Sequence, residues 1–276
     1  MKNRLIKNRM LICGFLMIVI LVCIALTGPF FTKHSPLLVD LENRLRSPDN
    51  VHIMGTDDLG RDVFSRLIYG SRVSLLVGFI SVGISLLIGV PLGLVSGFYG
   101  GWVDRIIMRM VDMMLCFPTL FLILMVITFL EPSIVNVMIV IGITSWPSLT
   151  RYLRGEVLAI RNREFIQAAK NMGVGKVRVL FIHILPNVTA PVIISSTLGV
   201  GSAILTESVL SFLGLGVQPP DPSWGNILTV GKEYITQNAW WLMFYPGTAI
   251  LLTVFSFNLI GEGLRDVLDP RISAKN

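Results

Sequence analysis

Residues 73–103 read VSLLVGFISVGISLLIGVPLGLVSGFYGGWV, a run without Asp, Glu, Lys or Arg. An α-helix rises about 1.5 Å per residue, so roughly 20 apolar residues cross a hydrocarbon core about 30 Å thick. The run is longer than that, and in lipid a backbone segment must satisfy its own hydrogen bonds, which a helix does. It therefore predicts a membrane-spanning helix.

Five further stretches lack Asp, Glu, Lys and Arg: 10–32, 113–130, 132–150, 179–206 and 234–261. Hydrophobic residues make up 53% of the chain and charged residues 14%, against about 25% charged residues in soluble domains. This composition excludes a soluble globular enzyme as the leading interpretation. The predicted fold is all-α, a polytopic membrane protein with about six transmembrane helices.

Basic residues between these stretches indicate the orientation, because Lys and Arg are retained on the cytoplasmic side of a membrane. With the N-terminus inside, sixteen of the 23 Lys and Arg residues lie in inner segments and seven in outer segments. We therefore predict an N-in, C-in topology. The basic pI of about 9.5 reflects this topology, and nucleic acid is not predicted as a partner.

The same pattern divides the chain into three parts. Residues 1–32 are predicted to be an uncleaved N-terminal signal-anchor helix, because the apolar run exceeds that of a typical signal peptide and no small-x-small cleavage site follows it. Residues 33–72 are predicted to form an extracytoplasmic loop, and residues 73–276 the core transmembrane domain. Within the core, the inner loop 151–186 holds seven of the sixteen inner basic residues.

Small residues recur every four positions in the run 73–103 and so share one helix face. They are Ser81, Ser85, Gly89, Gly93 and Gly97. Such stripes allow helix backbones to approach closely, which favours association in lipid. We predict helix packing rather than a ligand site for this stripe.

Charges of both signs lie close together in the predicted outer loop: Asp57, Asp58, Arg61, Asp62 and Arg66. The pattern predicts local ion pairs that hold a compact extracytoplasmic platform. A smaller contribution to docking a partner is compatible with it, because complementary charges chiefly set orientation and association rate.

Glu207 is the one carboxylate well inside a predicted span. An intramembrane ionisable group is a functional candidate by default, so Glu207 is a candidate for the translocation pathway. A hydrogen bond between helices, contributing about 0.6 kcal/mol, explains it equally well. Both interpretations stay open at this point.

No cofactor is predicted in this chain. Gly175-Lys176 is followed by Val177, and the Gly-rich part of a phosphate-binding P-loop is missing. In the outer loop, His52 and Met54 offer two possible nickel ligands, which is too few for a coordination set.

The inner loop contains an amphipathic pattern. Phe165, Ala168, Ala169 and Met172 follow the i, i+3, i+4, i+7 spacing of one helix face, and Gly173 is suited to end the helix. A short helix of this kind can insert into a groove on a cytosolic partner or lie in the membrane interface.

This loop resembles the EAA signature of ABC-importer permeases, which marks the helix that docks into the ATPase. Ala168-Ala169, Gly173 and Leu185-Pro186 keep the spacing of that signature. The resemblance favours docking to a partner over an interfacial helix.

Two departures from the generic signature, Gln167 and His183, are similar to the peptide and nickel branch of the family. Four other stretches resemble the DppC/OppC-type subunit of the same branch: 54–70, 210–216, 219–225 and 261–271. The resemblance extends over nearly the whole chain.

The resemblance implies a type I ABC importer permease fold in the cytoplasmic (plasma or inner) membrane of a prokaryote. It also implies three kinds of partner: a sister permease in a heterodimer, two ABC ATPase subunits that bind ATP and Mg²⁺, and an extracytoplasmic solute-binding protein. The residues expected to transmit ATP hydrolysis are Glu164, Gln167, Ala168, Ala169, Gly173, Gly175, Leu185 and Pro186.

From these observations we predict a non-catalytic permease subunit of an ATP-driven importer for di- or oligopeptides. Within the family, the alternative is import of nickel or a metal chelate. From other classes, the alternatives are an ion-coupled secondary transporter, which is expected to need more intramembrane carboxylates or broken helices, and a static scaffold.

Overall fold

The computed structural model describes residues 8–268. Nearly all of the regular structure in this range is α-helical, and its only β-pairing is an isolated bridge between Thr56 and Asp62. The principal helices are α1 Arg9–Thr27, α2 Val63–Tyr99, α3 Gly101–Leu115, α4 Thr119–Thr128, α5 Ile134–Arg161, α6 Glu164–Asn171, α7 Lys176–Phe212, α8 Trp224–Tyr234 and α9 Trp241–Leu268. Helix α7 contains a π-helical turn at Val179–Ile184.

Five helices are long and apolar enough to cross a membrane: α1, α2, α5, α7 and α9. Helices α3 and α4 meet at an angle of 82°, and they form a sixth span if they are taken together. The break lies next to Pro118, the N-cap residue of α4. The prediction of about six transmembrane helices is confirmed.

Helix packing shows that the α3–α4 pair crosses the bundle. A Cβ atom added at Gly89 of α2 would lie 3.0 Å from Leu149 of α5, and one added at Gly97 would lie 2.7 Å from Val157. Residue numbers rise together along this contact, so α2 and α5 run parallel. The connection 100–133 must therefore return from the end of α2 to the opposite face, where α5 begins.

The two ends of the described chain lie on one face. A Cβ atom added at Gly263, near the end of α9, would lie 2.8 Å from Leu11 at the start of α1. At the other end of α1, one added at Gly28 would lie 2.6 Å from Ile68 near the start of α2. We call the face at which α1 begins and α2, α5 and α9 end the inner face. The arrangement is the one that an N-in, C-in topology requires, although residues 1–7 and 269–276 lie outside the described range.

Helix bounds differ from the sequence prediction because charge-free runs mark the apolar part of a helix rather than its ends. Helix α2 begins at Val63, so the last ten residues of the predicted outer loop 33–72 are helical. Arg72, in this added part, donates to the carbonyls of Ala25 and Leu26 at 2.5 and 2.8 Å. The predicted inner loop 151–186 is likewise mostly helical, and only residues 162–163 and 172–175 connect α5, α6 and α7.

The outer connection before the last span contains a helix that the sequence did not predict. Helix α8 begins with a capping box between Ser223 and Asn226 and buries Trp224 and Ile227. The last span therefore begins at Trp241, later than the predicted 234–261, and a left-handed Asn238 precedes it.

Ion pairs hold the outer loop together, as the alternating charges predict. Arg61 Nε lies 2.7 Å from Asp57 Oδ2, with both side chains buried, and Arg66 Nε lies 3.4 Å from the same oxygen. Burial, together with the neighbouring Asp57, raises the pKa of Asp58. Arg61 Nη2 lies 3.5 Å from Asp58 Oδ1, and this attraction does not offset the effect of burial on the pKa of Asp58.

Candidate translocation groove and coupling helix

Helices α2, α4, α5 and α7 enclose a cavity of about 450 Å³ that we call the groove. Eleven of the eighteen lining residues carry a hydroxyl group: Ser81, Ser85, Thr119, Thr144, Ser145, Ser148, Tyr152, Ser195, Ser196, Ser202 and Thr206. Aliphatic side chains such as Val82, Leu86 and Ile123 complete it, and no Asp, Glu, Lys, Arg or His is among the lining residues.

Several of these hydroxyls donate a hydrogen bond to a backbone carbonyl of their own helix. Thr144 Oγ1 donates to the carbonyl of Val140 at 2.8 Å, and Ser196 Oγ donates to that of Val192 at 2.6 Å. Ser145 and Thr206 do the same one turn back along their helices. A hydroxyl has one donor and two acceptor lone pairs, so these oxygens present acceptors to the groove.

The small-residue stripe of α2 divides into two parts. Gly89, Gly93 and Gly97 pack against α5, where an added Cβ atom would come within 2.7–3.0 Å of Leu149, Leu153 or Val157. The two serines lie further toward the outer half of α2 and line the groove. Ser81 also donates to the carbonyl of Met138 in α5 at 3.0 Å.

Glu207 lies on α7 and is fully buried. Ser211 Oγ donates to Glu207 Oε1 at 2.7 Å, and Ser208 Oγ lies 3.5 Å from Oε2. The neighbouring Thr206 lines the groove, whereas Glu207 does not. The carboxylate is thus held by serine hydroxyls away from this cavity, and its part in translocation stays a prediction.

Helix α6 lies at the inner face, where the docking signature predicts a helix. Its Ile166 and Ala169 are buried in an apolar cluster with side chains from the ends of α2, α5 and α7. Phe165, Ala168 and Met172 are exposed, Met172 by 76%. Three of the four residues predicted to share one face of α6 are therefore exposed, while Ala169 packs into the bundle.

Gly173 ends α6 in the left-handed conformation, with φ +77°, which glycine adopts without a steric penalty. The amide of Gly173 donates to the carbonyl of Lys170, and that of Val174 donates to the carbonyl of Ala169. The predicted helix end at Gly173 is confirmed.

Other residues of the docking signature occupy different positions. Glu164 and Gln167 are exposed on α6, and Gly175 is the N-cap residue of the following helix. Leu185 and Pro186 lie on α7 just after its π-helical turn. Leu185 packs against the cluster that buries Ile166 and Ala169, so the two halves of the signature share one core.

Polar contacts that sequence reasoning missed attach this region to α2. Arg161 Nη1, at the end of α5, donates to the carbonyl of Gly97 at 3.0 Å. Lys170 Nζ of α6 lies 5.6 Å from the centre of the Phe98 ring. The only sequence signal for the contact of Arg161 was its place in the last turn of a span. A basic residue there is also expected from the positive-inside rule, so it did not indicate a specific contact.

Two family models match the chain. The model described as binding-protein-dependent transport system inner membrane component matches residues 89–274, and that described as N-terminal TM domain of oligopeptide transport permease C matches residues 1–48. The chain is 44% identical to the dipeptide transport system permease protein DppC of Alkalihalophilus pseudofirmus, covering 99% of this chain and 89% of that protein.

Other relatives and a solved structure extend the comparison. The oligopeptide transport system permease protein OppC of Bacillus subtilis is 38% identical, covering 96% of this chain and 87% of that protein. The glutathione transport system permease protein GsiD of Pectobacterium atrosepticum is 36% identical, covering 99% and 90%. An inward-facing structure of the MetNI methionine ABC transporter covers 74% of this chain and 97% of its own, with a TM-score of 0.62 at 18% identity, which supports the fold.

Proposed function

We propose a cargo, partners and a location for this chain from one premise: it belongs to the family of binding-protein-dependent transport system inner membrane components. The family consists of permease subunits of ABC importers, in which partner ATPases hydrolyse ATP. The chain is thus a multi-pass membrane subunit, and the ion-coupled carrier and the static scaffold are set aside.

The proposed cargo is di- or oligopeptides. The relatives are named for transport of dipeptides, oligopeptides and glutathione, and these names favour peptides over nickel or metal chelates. The proposed location is the cytoplasmic membrane of a prokaryote, and the proposed partners are a sister permease, two ATPases and an extracytoplasmic solute-binding protein.

The observation that carries the proposal is the uncharged, hydroxyl-lined groove. Peptides share amide N–H and ammonium donors and carbonyl and carboxylate acceptors, whereas their side chains differ in charge. Hydroxyl groups can accept and donate hydrogen bonds without a fixed charge, so they suit the shared backbone and do not select among side chains. Selection of cargo is then left to the solute-binding protein.

Transport across the groove requires a link to the ATPases, and we assign it to the exposed side of α6. Closure of the ATPases moves α6, and the apolar cluster around Ile166 and Ala169 transmits that movement to the ends of α2, α5 and α7. The groove then faces the outside and the inside alternately.

Uptake measurements test the cargo. Cells with and without this chain, otherwise carrying the complete transporter, are supplied with labelled dialanine or with labelled Ni²⁺. We expect dialanine uptake to require the chain and Ni²⁺ uptake to be unaffected. Loss of Ni²⁺ uptake with dialanine uptake intact would overturn the peptide assignment.

A fixed charge placed in the groove tests its role. Ser148→Asp is expected to slow uptake of an acidic dipeptide several-fold more than that of a basic dipeptide, because the new carboxylate repels one cargo and attracts the other. Ser148→Asn is the uncharged control of the same size. Equal effects of Ser148→Asp on both dipeptides would place the pathway elsewhere.

A further inference from the structure

The outer loop brings together three side chains that are far apart in sequence. His34 follows the end of α1, His52 lies in the loop, and Asp62 is the N-cap residue of α2. One ligand atom from each lies within 4.8 Å of the other two. They line a cavity of about 180 Å³, to which Asp40 also contributes.

Two of these side chains are in direct contact. His52 Nδ1 lies 2.9 Å from Asp62 Oδ1, with both residues buried. The other oxygen, Oδ2, accepts hydrogen bonds from the amide and the hydroxyl of Ser65, both at 2.8 Å. These are the N-cap contacts of α2, and they hold the carboxylate in one orientation, as outer hydrogen bonds also do for the ligands of a metal site.

The third side chain can complete the set. The His34 ring is partly exposed and tilted against the His52 ring, with 4.8 Å between their centres. Bonds of about 2.1 Å to a tetrahedral zinc ion place ligand atoms about 3.4 Å apart. A small movement of His34 and a slight opening of the His52–Asp62 contact therefore reach that geometry.

We propose that His34, His52 and Asp62 bind a divalent zinc ion on the outer face, with Asp40 or water as the fourth ligand. Two imidazole nitrogens and a carboxylate oxygen form a common zinc donor set, and the ion takes the place of the hydrogen bond between His52 Nδ1 and Asp62 Oδ1. The site shares no lining residue with the groove. The zinc ion is therefore a structural ion that links the segment after α1 to the start of α2, and it is not cargo.

The test uses the complete transporter, purified without a polyhistidine tag. The protein is treated with EDTA, reloaded with ZnCl₂ and desalted before its zinc content is measured. The chain contains three histidines, so His34→Gln is the test variant and His183→Gln the matched control. We expect one zinc equivalent fewer in His34→Gln than in the wild type and His183→Gln, by elemental analysis. Titration with Zn²⁺ is expected to show at least a tenfold loss of affinity at this site.

A second measurement separates binding from folding. Co²⁺ substituted for Zn²⁺ is expected to give visible absorption bands in the wild type and in His183→Gln, and to lose that contribution in His34→Gln. His34 is partly exposed, so the metal-free transporters are expected to unfold at the same temperature. Equal zinc content and equal Co²⁺ spectra in wild type and His34→Gln would overturn the proposal.

Discussion

The guanidinium of Arg154 in α5 donates two hydrogen bonds to the carboxylate of Asp104 in α3, Nε to Oδ1 at 2.5 Å and Nη2 to Oδ2 at 2.6 Å. Ser96 of α2 also donates to Oδ1, at 2.5 Å. A bidentate, charge-assisted pair is among the stronger polar contacts of proteins. It joins three helices at the inner face, on the inner side of the 82° break between α3 and α4.

Removing this pair should destabilise the bundle. Arg154→Gln is expected to cost about 1–2 kcal/mol, because the partly buried Asp104 loses its bidentate cation. Thermal unfolding of the purified chain in detergent measures the effect. The control is Arg151→Gln, whose pair with Asp112 is more than half exposed and should contribute under about 1 kcal/mol. A shift for Arg151→Gln as large as that for Arg154→Gln would contradict this prediction.

Close packing of α2 on α5 should be sensitive to a single methyl group. Gly97→Ala places a Cβ atom 2.7 Å from Val157, so the helices must separate and the unfolding temperature is expected to fall. Gly83→Ala, on the same helix, has nothing within 4 Å. That control is expected to be neutral or slightly stabilising, because alanine favours helix over glycine by about 1 kcal/mol. The prediction fails if the two variants unfold alike.

Neighbouring alanines of α6 should behave differently. Ala168 is exposed, so Ala168→Glu is expected to leave the chain folded while abolishing co-purification of the ATPases and peptide uptake. Ala169 is 3% exposed, so Ala169→Glu buries a charge and should reduce the amount of folded chain. Ala168→Ser keeps a small side chain and is the control.

Gly173→Glu is likewise expected to disconnect ATP hydrolysis from uptake, because it changes the helix end at a left-handed position. Normal uptake by Ala168→Glu or Gly173→Glu would argue against the assigned link.

Glu207 can be tested without changing its volume. Glu207→Gln keeps an acceptor for the Ser211 hydroxyl, so assembly in the membrane should be preserved. Peptide uptake is expected to fall, because one carboxyl oxygen beside Ser208 and Ser211 is replaced by an NH₂ group that can only donate. Glu131→Gln, at an exposed position, is the control. Undiminished uptake by Glu207→Gln at normal membrane levels would leave Glu207 with a structural role alone.

Some elements of the fold could be predicted from local sequence and others could not. The five single-helix spans and the end of α6 at Gly173 followed from local patterns, because charge spacing and glycine conformation are properties of a few adjacent residues. The start of α2 and the existence of α8 did not. In these helices, Arg72 and Trp224 donate to the carbonyls of Ala25 and Leu67, which are distant in sequence.

Candidate sites divide in the same way. The docking signature is contiguous enough to be recognised, but only the bundle determines that Ala169 is buried and Ala168 is exposed. The outer-loop cluster was not predicted, because His52 was considered in sequence with Met54, whereas its spatial neighbours are His34 and Asp62.

By itself, the sequence determined that this protein is a helical membrane protein and predicted an N-in, C-in topology, because apolar length and basic clusters set insertion and orientation. The permease followed from the resemblance of its docking signature to that of ABC-importer permeases. Only the tertiary structure decided which hydroxyls line the groove, that Glu207 lies outside it, and which outer-loop side chains meet. The physical reason is that these features depend on which helix faces pack together, and that packing joins residues tens to hundreds of positions apart.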